Sequence, residues 1–387
     1  MIQRDLSKKL KSLSSKFPVV SVVGPRQSGK TTLVKYVFPN MRYVSLEDLD
    51  TREFASHDPK GFLATYNKGA VIDEIQRVPE LFSYIQTVVD QKNKAGQFIL
   101  TGSQNFLLQE NLSQTLAGRT AILKLLPLSL NELKRSSYVL KESEEYIFKG
   151  FYPRIYDKKI HPSDWYPSYI QTYIERDVRL MKNITDLGAF QKFLKLCAGR
   201  TGQILNLSSL GNDCGISHNT AKAWLSVLES SYIIFLLKPY YKNFNKRLVK
   251  MPKLYFYDTG MASSLLGIQN KNQLKAHYLK GGLFESFVLA EIMKEQFNRG
   301  EEPRLYYWRD KTGNEIDGVL ELFQSLMRIE IKAGKTIGEE YFDGLNYWNK
   351  LTAAKDKNSF LVYNGEENQK RSVANVISWK NIDSILK

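Results

Sequence analysis

The chain has 387 residues, of which 43% are hydrophobic and 25% charged, and its 55 Lys and Arg against 40 Asp and Glu give a formal net charge of +15. That length exceeds one ordinary compact core and implies two or three domains, and the apolar fraction excludes a disordered chain. Two cysteines, Cys197 and Cys214, exclude a disulfide scaffold or a thiolate zinc cluster, and the four histidines lack metal-ligand spacing. No apolar run approaches about 18 residues, so no membrane span or membrane contact is expected. The opening MIQRDLSKKLKS has no signal-peptide core, and the expectation is a soluble, cytoplasmic protein. Divided at 145 and 280, the charge is +5, +12 and −2 in turn, so the basic excess is regional.

The first segment, 1–145, begins with PVVSVVG at 18–24, a short β-branched run that reads as a buried parallel strand. It runs into Gly24-Pro25-Arg26-Gln27-Ser28-Gly29-Lys30-Thr31, which fits G-x-x-x-x-G-K-[ST], followed by Thr32 and a helix-like stretch. Gly24 and Gly29 permit a tight path whose N–H groups point at phosphate oxygens, and the helix N-terminus favours an anion. Residues 24–32 are thus the expected nucleotide cradle. Lys30 would reach the β- and γ-phosphates and Thr31 would ligate Mg²⁺. A second strand, Ala70 to Ile72, ends in Asp73 and Glu74, placed to hold Mg²⁺ and to activate the attacking water respectively. A third, Gln97 to Thr101, ends in Gly102-Ser103-Gln104-Asn105. Ser103, or second to it Gln104, would sense the γ-phosphate; an ordinary polar turn is the competing reading. Arg119, before the apolar run AILKLLPL, would stabilise phosphate charge within the chain or from a neighbouring subunit, or is a plain surface arginine. The alternation predicts an α/β fold, a parallel sheet with helices on both faces. No N/T-K-x-D base-reading motif is present, so ATP with Mg²⁺ is the expected ligand.

In the second segment, 146–280, two short helices are expected around Asn206–Gly211 and after Ser217, the second with Ala221, Trp224, Leu225 and Leu228 on one face. His218, Asn219, Lys222 and Ser226 fall on the other, which suits a helix-turn-helix. Strands at 232–237 and 254–257 flank Lys238, Lys242, Lys246, Arg247, Lys250 and Lys253, with Tyr240, Tyr241 and Phe244 among them and no acid. This reads as a basic wing lying along DNA phosphates while Asn219 and Lys222 meet a groove. A solvated lid or a protein-contact module is the alternative.

The third segment, 281–387, opens with a helix over 281–295 carrying Glu285, then strands at 304–309, 314–320 and 327–333. If the last two pair, Asp317, Glu330 and Lys332 share one face, a D-x(12)-E-x-K pattern. Asp317, Glu330 and, from the helix, Glu285 would ligate Mg²⁺, and Lys332 would orient a water or steady the pentavalent phosphate. An amphipathic sheet with a solvated polar face is the competing reading.

GPRQSGKTTL, VIDEIQRVPEL, ILTGSQ and LAGR together resemble the AAA-type ATPases of bacteria and archaea that carry a C-terminal domain of unknown function. Gly150-Phe151-Tyr152-Pro153-Arg154 is similar to that family's Gly-Gly-aromatic-Pro turn, with Phe151 in place of the second glycine. Tyr173 to Val178 is similar to another of its segments. Phe284 to Val288, Tyr307-Trp308-Arg309, Glu315-Ile316-Asp317 and Ile329 to Gly334 resemble a restriction-endonuclease-like fold, with Ile316 where a proline is usual. The resemblance implies an ATPase domain, a winged-helix domain and a nuclease-like domain, which need not cleave. Related ATPases often form rings, so a homo-oligomer is a candidate state. The leading expectation is an ATPase that couples nucleotide state to DNA engagement, with metal-dependent cleavage by the third domain. The alternative is an ATP-dependent regulator or scaffold with an inactive nuclease fold and a protein partner.

Overall fold

The computed structural model describes residues 2–92, 94–103, 115–174, 186–241, 249–322, 325–352 and 358–386. The chain divides into two compact units, one of 1–128 with 230–232 and 296–301, the other of 129–229, 233–295 and 302–387. Among the described residues no helix is long and apolar enough to cross a membrane.

The first unit holds β1 (Val19–Val23), β2 (Arg42–Ser45), β3 (Ala70–Asp73), β4 (Phe98–Gly102) and β5 (Thr120–Lys124), with helices α1 (Leu6–Ser14), α2 (Lys30–Val37), α3 (Leu49–His57), α4 (Pro59–Thr65) and α5 (Leu81–Lys92) between them. The sheet order is β2-β3-β4-β1-β5, all parallel. Every residue of β1, β3 and β4 is buried, as expected of strands covered on both faces, which is why their sequences are near-continuously apolar. Leu6 and Leu10 of α1 join Leu33 and Val34 of α2 against Val20, Val22, Val71 and Ile99. Asp48 and Asp58 cap α3 and α4 through the N–H groups of Thr51 and Gly61, and Pro59 occupies the first turn of α4. Because β4 lies between β1 and β3, the residues that leave all three strands meet at one edge of the sheet.

The second unit begins with a helical region: α6 (Leu130–Lys134), α7 (Ser143–Lys149), α8 (Pro153–Asp157), α9 (Pro162–Tyr169), α10 (Leu187–Ala198), α11 (Leu207–Cys214) and α12 (His218–Ser230). The antiparallel pair β6 (Ile234–Leu237) and β7 (Lys253–Phe256) follows, then α13 (Thr259–Leu265), α14 (Lys271–Ala276) and α15 (Lys280–Asn298). A mixed sheet comes last: β8 (Leu305–Arg309), β9 (Glu315–Leu322), β10 (Ser325–Lys332), β11 (Ser359–Tyr363), β12 (Gln369–Lys370) and β13 (Asn375–Ser378), in the order β12-β13-β11-β10-β9-β8, with α16 (Asp343–Thr352) preceding β11. Trp308, Ile316, Val319, Leu345, Trp348, Leu361 and Val376 form its core. The fold is α/β throughout: a P-loop-type parallel sheet, a helical region, then a mixed sheet.

Residues 129–145 are tied to later chain by polar contacts that composition does not reveal. The Leu130 N–H donates to Glu291 Oε2 at 2.6 Å, and Glu144 meets Lys280 at 3.4 Å and Asn364 Nδ2 at 3.1 Å. Residue 280 opens α15, whose Ser286 hydroxyl both accepts from Phe256 N and donates to Phe256 O in β7. Phe151 needs no glycine: among the described residues the positive φ in that turn belongs to Gly150, at 69°. A side chain at Gly150 would collide with the Tyr166 hydroxyl and with Asp258.

Candidate functional site

The loop between β1 and α2 is built for close approach. Gly24 has φ 152°, and a Cβ there would lie 2.1 Å from Leu125 O. Gly29, at φ 97°, is the left-handed residue from which α2 begins. Lys30 folds back over the loop, its ammonium donating to Gly24 O at 3.0 Å and Pro25 O at 2.8 Å. The Ser28 hydroxyl is buried without a hydrogen-bond partner. Arg4, ahead of α1, supports the loop from beneath. It is buried, and its guanidinium donates to Ser28 O at 2.6 Å and Leu126 O at 2.7 Å. Arg4 was not foreseen from sequence, since nothing local relates residue 4 to residue 28.

Asp73 and Glu74 leave β3 beside this loop with distinct partners. Asp73 accepts from Thr31 Oγ1 at 2.8 Å, from Tyr43 OH at 2.7 Å and from the Thr101 hydroxyl. Burial first, and then the Asp73 carboxylate, push the Tyr43 phenol well above its ordinary pKa, so it stays a donor. Glu74 has φ 56°, a left-handed conformation that costs a non-glycine residue about 1–3 kcal/mol and that the surroundings must enforce. Ser103 Oγ donates to Glu74 Oε2 at 3.0 Å, and Gln76 Nε2 donates to the same oxygen. The structure thus brings Lys30, Thr31, Asp73, Glu74 and Ser103 to one sheet edge. It adds Tyr43, Thr101 and Gln76, which sequence reading missed because their roles depend on strand order. Gln104 lies outside the described residues.

These residues fit a nucleotide with Mg²⁺. The Thr31 hydroxyl donates a hydrogen bond to Asp73, leaving its lone pairs for a hard cation, and the loop holds a buried, unpartnered Ser28 hydroxyl.

Arg119 is elsewhere. It immediately precedes β5, and its carbonyl accepts from Val19 N at the start of β1, so it lies at the sheet edge opposite the loop. Five residues of parallel strand separate the two edges, roughly 16 Å at 3.3 Å per residue. Arg119 pairs there with Asp90 of α5. This placement sets Arg119 apart from the loop of its own chain.

In the helical region, α11 and α12 are joined through Gly215 at φ 75°, and Ser217 Oγ accepts from Thr220 N at 3.1 Å. Ala221, Trp224, Leu225 and Leu228 are buried; His218, Asn219, Lys222 and Ser226 are exposed. Lys238 and Lys250 are exposed, while Lys242, Phe244, Lys246 and Arg247 lie outside the described residues. Both feet of the connection run along edge strand β8: Tyr240 N donates to Tyr307 O at 2.7 Å and Val249 N to Arg309 O at 3.0 Å. Lys253 does not belong to a basic surface. It is 4% exposed and faces carboxylates, because β7 pairs with β6 and packs beside α15.

Asp317 and Glu330 stand one step beyond the Gly318–Ile329 pair of the β9–β10 hairpin. Asp317 Oδ2 accepts from Ile331 N at 2.8 Å and lies 3.9 Å from Lys332 Nζ, which also pairs with Glu330. Glu330 is buried, and its Oε2 has no partner. Glu285 accepts from Tyr255 OH at 2.9 Å and lies 3.8 Å from Lys253 Nζ, which also pairs with Glu315; Arg309 holds Glu315 from the other side at 3.0 Å. Burial first, then the Asp317 charge, raise Glu285 to about 7 and Glu330 to about 8. Burial works against charge on Lys253 and Lys332, but the surrounding carboxylates prevail and hold both ammonium groups protonated. Among the described residues no three acidic, His or Cys side chains are grouped to hold a metal. Glu285, the helix member of the expected ligand set, is engaged by Tyr255 and lies 3.8 Å from Lys253 Nζ. Asp317 and Glu330 retain one free buried oxygen, on Glu330. The segment Tyr173 to Val178 falls largely outside the described residues.

Comparison with known proteins gives three consecutive matches: an AAA domain over residues 16–134 and two domains of unknown function over 140–272 and 280–382. An uncharacterized protein of Mycobacterium tuberculosis is 29% identical over 339 residues, covering 86% of this chain and 74% of its own. One from Methanocaldococcus jannaschii is 25% identical over 342 residues, covering 80% and 73%. Among solved structures, a Walker-type ATPase of Pyrococcus abyssi superposes with a TM-score of 0.46 at 16% identity, over 68% of this chain and 96% of that one. Residues 16–134 thus match an AAA domain, and their strand order and loop geometry are those of a P-loop-type fold.

Proposed function

We propose that this protein binds and hydrolyses ATP with Mg²⁺ and couples its nucleotide state to DNA engagement. The observation carrying the first part is the single sheet edge that gathers the Lys30 loop, the Thr31–Asp73 pair and the Glu74–Ser103 pair. Lys30 exchanges its two carbonyl partners for β- and γ-phosphate oxygens, and the loop N–H groups complete the cradle. Thr31 and Asp73 would hold Mg²⁺, which supplies positive charge to the phosphate oxygens. Glu74 accepts a proton from the attacking water, while Ser103 and Gln76 fix its carboxylate. Arg119, paired with Asp90 at the far edge of the sheet, is either a surface arginine or a contributor to the site of a neighbouring copy. The test is direct: Lys30→Ala removes nucleotide binding, and Glu74→Gln keeps binding but loses turnover by about 10²–10⁴-fold, the usual contribution of a general base. Undiminished hydrolysis by the Glu74→Gln protein refutes the assignment.

DNA engagement is supported by the +12 balance of residues 146–280 and by the exposed face of α12 bearing Asn219 and Lys222. With Lys250, and with Lys242, Lys246 and Arg247 of the same connection, these residues form the proposed winged-helix contact. Affinity then falls steeply with salt, and neutralising Lys222 and Lys250 reduces the slope.

A second reading is metal-dependent DNA cleavage by the mixed-sheet domain, with Asp317 and Glu330 as ligands and Lys332 beside the scissile phosphate. The unpartnered, buried Glu330 Oε2 favours it. Purified protein with Mn²⁺ would then nick DNA, and Asp317→Ala would not. Intact substrate with the wild-type protein leaves the non-cleaving regulator, with a protein partner, as the role of this domain.

A further inference from the structure

Lys253 is the first residue of β7, at the end of a basic run, yet its side chain is 4% exposed. Fully buried lysines are rare unless paired, because an ammonium leaves water at a cost of several kcal/mol. Here the compensation comes from three directions. Glu315 of β9 pairs with Nζ directly, Glu285 of α15 lies 3.8 Å away, and the Tyr307 ring of β8 is 5.7 Å from Nζ to its centroid. Both carboxylates are themselves fixed, Glu285 by Tyr255 OH and Glu315 by Arg309. The ammonium therefore sits between two preorganised carboxylates contributed by a helix and a strand, with an aromatic ring nearby.

We infer that Lys253 is a resident cation of this domain, occupying the place between Glu285 and Glu315 that a divalent metal would otherwise take. Glu285 is thereby withheld from Asp317 and Glu330. This inference does not depend on whether the latter pair binds a metal, and a count of bound ions separates the two questions.

The experiment titrates Mn²⁺, followed by electron paramagnetic resonance, into the full chain without nucleotide. Lys253→Met, which keeps the length and apolar stem but removes the charge, is expected to take up one equivalent more than the wild-type protein. Glu285→Gln added to Lys253→Met abolishes that equivalent. Thermal unfolding gives the second readout: Mn²⁺ raises the midpoint of Lys253→Met more than that of wild type. If Lys253→Met folds only with divalent cation present, that dependence supports the same conclusion. Lys253→Met/Glu315→Gln, which removes one charge of each sign, must fold without metal. The inference is overturned if Lys253→Met folds and binds no additional ion. It is also overturned if wild type already binds an ion that Glu285→Gln removes, or if the charge-matched double variant fails to fold, which would make Lys253 a packing residue. A metal at Asp317 and Glu330 would appear instead as an equivalent common to both proteins and lost in Asp317→Ala.

Discussion

Replacing Arg4 tests how the phosphate loop is held. Its guanidinium makes two good hydrogen bonds to main-chain carbonyls, at 2.6 Å to Ser28 and 2.7 Å to Leu126, and a contact of 3.5 Å to Pro127 that is too long to count for much. A hydrogen bond to a charged group contributes about 1.5–3 kcal/mol, so the two together contribute about 3–6 kcal/mol before relaxation. Arg4→Met removes both, which lowers stability by an amount in that range. ATP affinity responds separately. Freeing the backbone of one loop residue, Ser28, adds roughly 1–2 kcal/mol of entropy that binding must remove again. That corresponds to a dissociation constant about tenfold higher. Arg4→Lys keeps the charge but not the fork that reaches two carbonyls at once, so it restores only part of the loss. Calorimetry with ATP and thermal unfolding give the two readouts. Unchanged ATP affinity in a destabilised but folded Arg4→Met protein would show that Arg4 serves the fold and not the loop, and would refute this reasoning.

Other consequences follow from the same geometry. Gly24→Ala places a methyl 2.1 Å from Leu125 O at a φ disfavoured for alanine, so nucleotide binding is lost while the circular dichroism of the folded protein is kept. Tyr43→Phe removes a 2.7 Å hydrogen bond to Asp73 and should raise the Mg²⁺ needed for half-maximal turnover more than it changes ATP affinity. The C-terminal cluster predicts a pH dependence. Folded pKa values of about 7 for Glu285 and about 8 for Glu330 lie above the unfolded value of about 4.3, so the folded state binds more protons between these limits. Stability is present below the unfolded value and declines as pH rises through about 7 and 8. In Glu330→Gln that decline, measured by denaturant unfolding at a series of pH values, becomes shallower.

The parts of this account legible in sequence are those encoded locally. The run of β-branched residues into Gly24–Thr31 specifies strand, loop and helix between Val19 and Val37, and the Asp73–Glu74 pair ends a strand visible by composition. Asp317, Glu330 and Lys332 share a region because strand alternation has a period of two. What was not legible depends on which elements become neighbours. Tyr43 and Thr101 reach Asp73 only because β2 and β4 flank β3. Arg4 reaches Ser28 across the packing of α1. Arg119 could have been placed from the pattern alone: in a parallel sheet, a residue preceding a strand lies at the edge away from the loop. Lys253 reads as one cation in a solvated run until β7 is seen pairing with β6 and turning it toward Glu285 and Glu315. The chain's +15 thus overstates its free basic surface by at least this buried, neutralised lysine.

The central claim is that ATP turnover at the Lys30–Glu74 site is coupled to DNA held by the basic middle segment. It is tested most directly by measuring ATP hydrolysis with and without duplex DNA at low salt, for wild type, Glu74→Gln and Lys222→Ala/Lys250→Ala. The account predicts hydrolysis that DNA alters in the wild-type protein, hydrolysis reduced about 10²–10⁴-fold in Glu74→Gln, and wild-type basal hydrolysis with a weakened DNA response in the lysine variant. Wild-type hydrolysis indifferent to DNA, under conditions where DNA is bound, would contradict it.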